Sequence, residues 1–565
     1  MEFKQKAEEK KMSMSKNIAR LAVTAGLTAA LSFGGVIAPV TMAFAEGDNT
    51  ITITQADKNA TTKFKAYQIF TAKVVDQNES KVASDIDWAN VETEKAVIGV
   101  LKQVAAPGIT DSSTAEDVAN YLAKNVNDTT DKTRVNNSDL LYKIADAVAK
   151  NSTQTGESFD AGTTFTAPSN GYYLFVTDAL DASKPNTGTS PIFALVGGKS
   201  VTVAEKTSIP TVTKKVKDDK PNSNWADKAD SQMGQNVNYQ LTGTVADNVA
   251  SFSTYKYEFY DELSAGLTAE KSSIKVYAGT DRNTATEIAA GNNYTADVTA
   301  DETTGKSTLT VKFTDLKTAV ADLSAQTKIY VEYTAKLDPN KYANVVVGGN
   351  GNENTVKLVY SNNPMAEGTG TSVPDTVRDY TYALKLIKQD HESKEKLKGV
   401  GFTIQATDPD DSTSMGKYVQ EHGNLDDNEH EFVTDENGEI HITGLDAGTY
   451  TVHEKTALGN YNSLKNFTFT ISTPESGEGS LRQSEEEAKT VTVNRTAQTS
   501  NLVILDATQT DGTVNLTVEN KKGSGLPLTG LNGVTFTWIA GGAVLCIGVA
   551  HLIRSRKQAE ESEQE

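Results

Sequence analysis

Leu384-Lys385-Leu386-Ile387-Lys388-Gln389-Asp390 opens the last third of this chain, Gly448-Thr449-Tyr450-Thr451-Val452-His453-Glu454 lies in its middle, and Val518-Glu519-Asn520 closes it. Successive side chains of a β-strand point to opposite faces, so Leu386 and Lys388 share one face of the first stretch. By the same rule Tyr450, Val452 and Glu454 share a face of the second, and Asn520 follows Val518 in phase. Apolar alternation of this kind marks strands with one buried face, which reads as a mostly β chain built of sandwiches. It also points a lysine, a glutamate and an asparagine inward. Burying an isolated ion pair costs several kcal/mol of desolvation, so the three groups either lie on solvated faces, form an ordinary ion pair, or share a chemistry.

The trio resembles the intramolecular isopeptide triad of the collagen-adhesin B-type domains found in Gram-positive pilins and adhesins, where lysine and asparagine condense and a glutamate assists. The resemblance implies a Lys388–Asn520 bond promoted by Glu454. Burial favours the neutral amine as nucleophile, and a protonated Glu454 would hydrogen-bond the Asn520 amide carbonyl and pass protons as ammonia leaves. Each domain would react once, on itself, with no cofactor.

Further upstream, Pro210-Thr211-Val212-Thr213-Lys214-Lys215-Val216 opens a second region and Val356-x-Leu358-x-Tyr360-x-Asn362 closes it. Between them, short strands are expected at 237–244, 255–261, 274–278, 307–313 and 328–337, separated by Gly, Asn and Asp turns. Tyr255, Tyr257, Phe259 and Asp261 share a face, so Asp261 continues an apolar row inward. Phase with Val212 and Val216 selects Lys214 over Lys215, and phase with Leu358 and Tyr360 selects Asn362 over Asn363. This region resembles the middle, immunoglobulin-like domain of backbone pilins, which implies a Lys214–Asn362 bond with Asp261 as its acid.

The region before residue 200 mixes strand-like runs, at 51–54, 64–70, 172–176 and 192–196, with helical spacing. Val97, Ile98, Leu101 and Val104 recur at helical intervals, as do Val118, Tyr121 and Leu122, and again Leu141, Ile144, Ala145 and Val148. A β domain with helical insertions is expected. Its Gly171-x-Tyr173-x-Phe175-x-Thr177 stretch is similar to the glutamate strand of the third region but carries threonine in the carboxylate's place, so no isopeptide bond is expected there.

Both ends carry addresses. Lys10, Lys11, Lys16 and Arg20 precede an apolar run ending in Ala43-Phe44-Ala45, the pattern of a secretory signal peptide cut after Ala45. At the other end Leu526-Pro527-Leu528-Thr529-Gly530 is followed by an uncharged apolar span over 534–553, long enough to cross a bilayer as a helix, and then by Arg554, Arg556 and Lys557. This order resembles the cell-wall sorting signal of Gram-positive surface proteins, in which the transpeptidase sortase cuts between the threonine and the glycine. The membrane helix would then be a temporary handle.

Val201-Thr202-Val203-Ala204-Glu205-Lys206 is similar to the pilin motif Val-x-Val-Tyr-Pro-Lys and lies between the first two regions, as that motif does in backbone pilins. It departs at Ala204-Glu205, leaving Lys199 and Lys215 as alternatives to Lys206. The resemblance implies a major pilin polymerised head to tail, with the Thr529 carbonyl of one subunit joined to Lys206 of the next. Implied partners are a class C pilin sortase, a wall-anchoring sortase, copies of itself, tip and basal accessory pilins, peptidoglycan and a host or matrix ligand. The alternative is a monomeric wall-anchored adhesin of the same domains.

The chain has 565 residues and a formal charge of −20, with no long basic patch, which argues against nucleic acid as a partner. Its single cysteine, Cys546, falls in the apolar span, so the exported part has no disulfides to rely on. Asp410-x-Ser412-x-Ser414 reads as turn chemistry, and His422 with His430 is at most a faint metal signal. No nucleophile–base pair, phosphate loop or zinc spacing occurs, so neither a metal nor conventional turnover is expected. The expected layout is a signal peptide over 1–45, a β domain with helical insertions over 46–205, a middle sandwich over 206–375, a collagen-adhesin B-type domain over 376–522 and a sorting signal over 523–565.

Overall fold

The computed structural model describes residues 49–523 apart from 57, 78–79, 127–133, 179, 181–183, 473–493, 499–500 and 506–511. Ala45, the Leu526 to Gly530 motif and the apolar span after it lie outside the described residues. Among those described, no helix is long and apolar enough to cross a membrane.

In the first unit the strand Gly171–Thr177 is buried along its whole length. Its run Tyr-Tyr-Leu-Phe-Val is apolar on both faces because both are covered. Tyr173 and Phe175 pack with Phe64, Phe165 and Ile53 beneath a three-stranded sheet, in which Thr50–Thr54 lies between Thr164–Thr166 and Val201–Ala204. On the other face Tyr172, Leu174 and Val176 pack with Val97, Leu101, Val118, Leu122, Ile144 and Val148. These last residues come from three helices, Val91–Gln103, Ala115–Asn125 and Leu140–Asn151, at the positions the helical spacing picked out. Asn90 caps the first helix, and the second starts with a reciprocal Thr114/Asp117 capping box, so each boundary is written in the sequence.

The second unit is a sandwich of two seven-stranded sheets. One holds Val212–Lys217, Val237–Thr244 and Lys328–Leu337; the other holds Tyr257–Leu263, Ser307–Phe313 and Asn352–Ser361. Strict burial of alternate residues, as in Val237–Thr244 and Asn352–Ser361, builds the core between them. The strand Asp375–Tyr380 pairs with Asn352–Ser361 and, in parallel, with Lys228–Asp230. Backbone pairing therefore keeps it in the second sandwich, and the change of unit falls at Thr381 rather than at 375.

The third unit sets a four-stranded sheet against a larger one. Its first strand, Tyr382–Asp390, lies parallel to its last, Thr513–Asn520, with Lys388 opposite Val518 and Asp390 opposite Asn520. The strand Gly448–Thr456 belongs to the facing sheet, beside Gly401–Pro409. A lysine near the end of one edge of the core, an asparagine two residues along the neighbouring strand and a glutamate opposite are thereby set on converging inner faces.

Candidate isopeptide sites and the subunit joints

In the third unit Lys388, Glu454 and Asn520 are buried, at 0, 3 and 1% exposure. The Lys388 Nζ donates to Glu454 Oε2 at 2.9 Å and to Asn520 Oδ1 at 2.5 Å. Asn520 Nδ2 in turn donates to Glu454 Oε1 at 2.6 Å, which closes a triangle. Burial pulls the lysine pKa below its ordinary value, against the opposing pull of Glu454. One expectation changes: the glutamate faces the amide nitrogen, not the amide carbonyl, because the carbonyl is taken by the lysine. The carboxylate thus bridges the nucleophile and the nitrogen that would leave. Apolar groups close the site, with the Phe402 ring 5.5 Å from Lys388 Nζ.

The second unit repeats the buried lysine with different neighbours. Lys214 is fully buried and its Nζ donates to both Asp261 oxygens at 2.6 Å and to the Tyr333 hydroxyl at 3.0 Å. Burial lowers its pKa to about 8, with Asp261 opposing. Tyr333 donates to Asp261 Oδ2 at 2.6 Å and accepts from Asn354 Nδ2 at 2.7 Å. Asn354 is itself fully buried, and its Oδ1 has no hydrogen-bond partner among the described residues.

Asn362 does not join this group. The strand register sets Asp261 opposite Val356 and Leu263 opposite Asn354, whereas Tyr360 lies opposite Tyr257. Asn362 is six residues beyond Val356, roughly 20 Å along an extended strand. Its Nδ2 donates to Asn186 Oδ1 at 3.0 Å, and its carbonyl accepts from Gly188 N at 2.5 Å, so it fastens the second unit to the first. Asn363 does the same through the Thr177 and Asp178 carbonyls. Sequence phase alone could not separate Asn362 from Asn354, since both share the inward phase of Val356 and Leu358. The missing signal was Tyr333, a tyrosine in the inward row Ile329, Val331, Ala335 and Leu337, whose hydroxyl needs polar company in the core.

At the first unit's counterpart position, Thr177 is buried and its Oγ1 accepts from Thr189 N at 3.0 Å. Lys206 lies half-buried just beyond, its backbone N–H donating to Thr189 Oγ1 at 2.7 Å. The preceding Glu205 turns inward: it accepts from Ala56 N at 2.6 Å, from Gln55 at 3.2 Å and from Asn59 at 3.3 Å, and also from Thr62 Oγ1. The departure from the pilin motif at this position is therefore a structural carboxylate that pins the linker to the first unit. Of the alternative lysines, Lys215 is ion-paired with Asp227, and Lys199 is exposed at a turn held by Asp76.

The discounted signals fall apart in space or into turns. Asp411, the neighbour of Asp410, caps a short turn through Thr413 N at 2.9 Å. His422 stacks on Tyr342 with ring centroids 4.2 Å apart, while His430 meets the edge of Phe432. Among the described residues no three His, Cys, Asp or Glu side chains are arranged to hold a metal ion.

The joint between the second and third units is acidic. Gln232 donates to the Gly444 carbonyl at 2.8 Å and accepts from Asp446 N at 3.1 Å, and Met233 N donates to Gly444 O at 2.8 Å. Around this contact Asp219, Asp230 and Asp446 are all pushed above the ordinary carboxylate range, by burial first and then by neighbouring carboxylates, Asp218 acting on all three. For Asp219, at about 7, the sign is clear: a carboxyl that holds its proton more tightly when folded contributes stability that is complete below its ordinary pKa near 3.8. That contribution is lost as pH rises toward 7. Thermal unfolding of the full-length protein should therefore show a joint that opens at lower temperature at pH 8 than at pH 5, and Asp219→Asn should flatten the difference. Equal stability at the two pH values would rule this out.

Compared with known proteins, residues 382–504 match the family described as SpaA, prealbumin-like fold domain. No curated protein matches the chain. Among solved structures it is similar to the T6 backbone pilin of serotype M6 Streptococcus pyogenes, with 16% identity, 84% of this chain and 99% of that chain covered and a TM-score of 0.49. It is likewise similar to the full-length major pilin SpaD from Corynebacterium diphtheriae, at 16% identity, 85% and 98% coverage and a TM-score of 0.44. The Corynebacterium diphtheriae major pilin SpaA follows, at 13% identity, 84% and 100% coverage and a TM-score of 0.42. The segment that holds Lys388 and Glu454 thus falls within the match to the SpaA prealbumin-like fold domain.

Proposed function

We propose that this chain is the backbone subunit of a covalently polymerised Gram-positive pilus, displayed on the cell wall, and that its second and third units are each locked by one Lys–Asn isopeptide bond. The observation that carries the reading is the buried Lys388–Glu454–Asn520 triangle joining the first and last strands of the third unit. In the reaction, Nζ of Lys388 bonds to Cγ of Asn520 and the Cγ–Nδ2 bond breaks. Glu454 takes a proton from the amine through one oxygen and delivers it to the departing nitrogen through the other, so that ammonia leaves. In the second unit Lys214 is the nucleophile, Asp261 the proton carrier and Asn354 the acceptor, brought within reach through the Tyr333 hydroxyl that both contact.

Such a subunit suits a fibre. In the third unit the cross-linked strands are neighbours in one sheet, so load entering along Tyr382–Asp390 passes directly to Thr513–Asn520 instead of unzipping the core. The links between subunits are made by sortase: the Thr529–Gly530 peptide is exchanged for an enzyme thioester, and the Lys206 amine displaces the thiol to form an isopeptide bond. Wall anchoring follows the same cleavage with a peptidoglycan amine as acceptor.

Lys206→Ala should collapse the high-mass ladder that the wild-type protein gives on a denaturing gel while leaving the monomer's mass deficit of two ammonias intact. A ladder that survives the substitution would move the junction to another lysine. The absence of a ladder from wild-type wall extracts would favour the monomeric adhesin.

A further inference from the structure

Lys206 has charges of both signs close by, yet among the described residues its amine pairs with none of them. Its ammonium makes no hydrogen bond or ion pair among the described residues, although Asp247 lies close enough to act on it. The Asp247 carboxylate is taken instead by the Arg134 guanidinium, while its second oxygen is buried without a hydrogen-bond partner. Arg134 comes from the segment between two helices of the first unit, and Asp247 from the loop after Val237–Thr244 in the second. Arg134 Nε also donates to the Lys206 carbonyl at 3.3 Å, so one side chain holds both the backbone of the lysine and the carboxylate nearest to its amine. The carboxylate adjacent in sequence, Glu205, is turned into the first unit by Ala56, Asn59 and Thr62.

We propose that Arg134 is a positioning residue for the sortase-acceptor lysine: by engaging Asp247 and the Lys206 carbonyl, it keeps the Lys206 amine unpaired for the incoming acyl-enzyme. This rests on the reading of Lys206 as the acceptor. The electrostatics run the same way, since burial, and then the Arg134 charge, ease the proton from Lys206, and Asp247 opposes them. The arrangement also makes the acceptor depend on the contact between the first and second units, because Arg134 and Asp247 lie on opposite sides of it. A subunit whose first two units have not docked would present Lys206 paired or misplaced, and a chain end would then extend only with folded subunits.

The test is the pH–rate profile of polymerisation of the full chain by a pilin-type sortase, read by mass spectrometry of the branched peptide. Arg134→Gln releases Asp247 to pair with Lys206, and should raise the pH of half-maximal rate by about 1–2 units and slow coupling at neutral pH roughly tenfold or more. Arg134→Lys should recover part of the shift, and Arg134→Gln combined with Asp247→Asn should recover most of it. Asp247→Asn alone should move the profile to lower pH, which keeps the proposal testable if the arginine variants fold poorly. A branch at Lys206 with a profile unmoved in Arg134→Gln and Asp247→Asn overturns the role of Arg134 and leaves the acceptor standing. A branch at another lysine overturns both.

Discussion

Replacing Asn520 by Ala is expected to abolish one of the two ammonia losses in the intact mass of the folded protein and to lower the unfolding temperature of the third unit by about 15–20 °C. Lys388 and Asn520 are 132 residues apart, so the bond closes a long loop. The chain-entropy relation used for disulfides assigns such a closure about 5 kcal/mol, the larger part of a domain's net stability. Glu454→Gln separates chemistry from closure. It retains the packing and both reacting groups but removes the proton carrier, so the bond should form slowly or not at all. A full mass deficit in Asn520→Ala would show that the ammonia comes from elsewhere.

The second large effect distinguishes two asparagines. Asn354→Ala is expected to abolish the other ammonia loss and to destabilise the second unit by a comparable amount, about 5 kcal/mol for a loop between Lys214 and Asn354. It also strips the Tyr333 hydroxyl of a donor, and Lys214, no longer consumed, stays as a charge in the core beside Asp261. Asn362→Ala should leave the mass deficit untouched. Its cost should fall instead on the side-chain contact with Asn186, loosening the first unit against the second, which limited proteolysis between the two would detect. The opposite pattern, a deficit lost with Asn362 and kept with Asn354, would require a register in which Asn362 meets Lys214.

The amino-acid pattern was enough to pick the asparagine of the third unit and not that of the second. Period-two alternation places a side chain on a face but leaves its height along the strand open. In the third unit the resemblance to the isopeptide triad supplied the height, and Lys388 and Asn520 both lie near the ends of neighbouring parallel strands. In the second unit the lysine and the asparagine belong to facing sheets, and several inward positions compete; Asn352, Asn354 and Asn362 all satisfy the phase. The choice depends on which of them meets Tyr333 across the core, a relation between strands distant in the chain. The helices of the first unit were legible because their apolar spacing and caps are local. The acidic joint was not, because Asp219 and Asp230 act on Asp446 only across a contact between segments far apart in the chain. Glu205 was visible only as a departure from a motif, and its role as a pin for the linker comes from Ala56, Asn59 and Thr62, far upstream.

The reading of the chain as a rod between two covalent joints is tested most directly by tryptic mass spectrometry of wall-derived high-mass material. The expected products are a branched peptide in which the Thr529 carbonyl is joined to the Nζ of Lys206, and peptides linking Lys388 to Asn520 and Lys214 to Asn354, the latter two each lighter than their parts by one ammonia. Wall material carrying Thr529 joined to peptidoglycan alone, with Lys206 unmodified throughout, would contradict it.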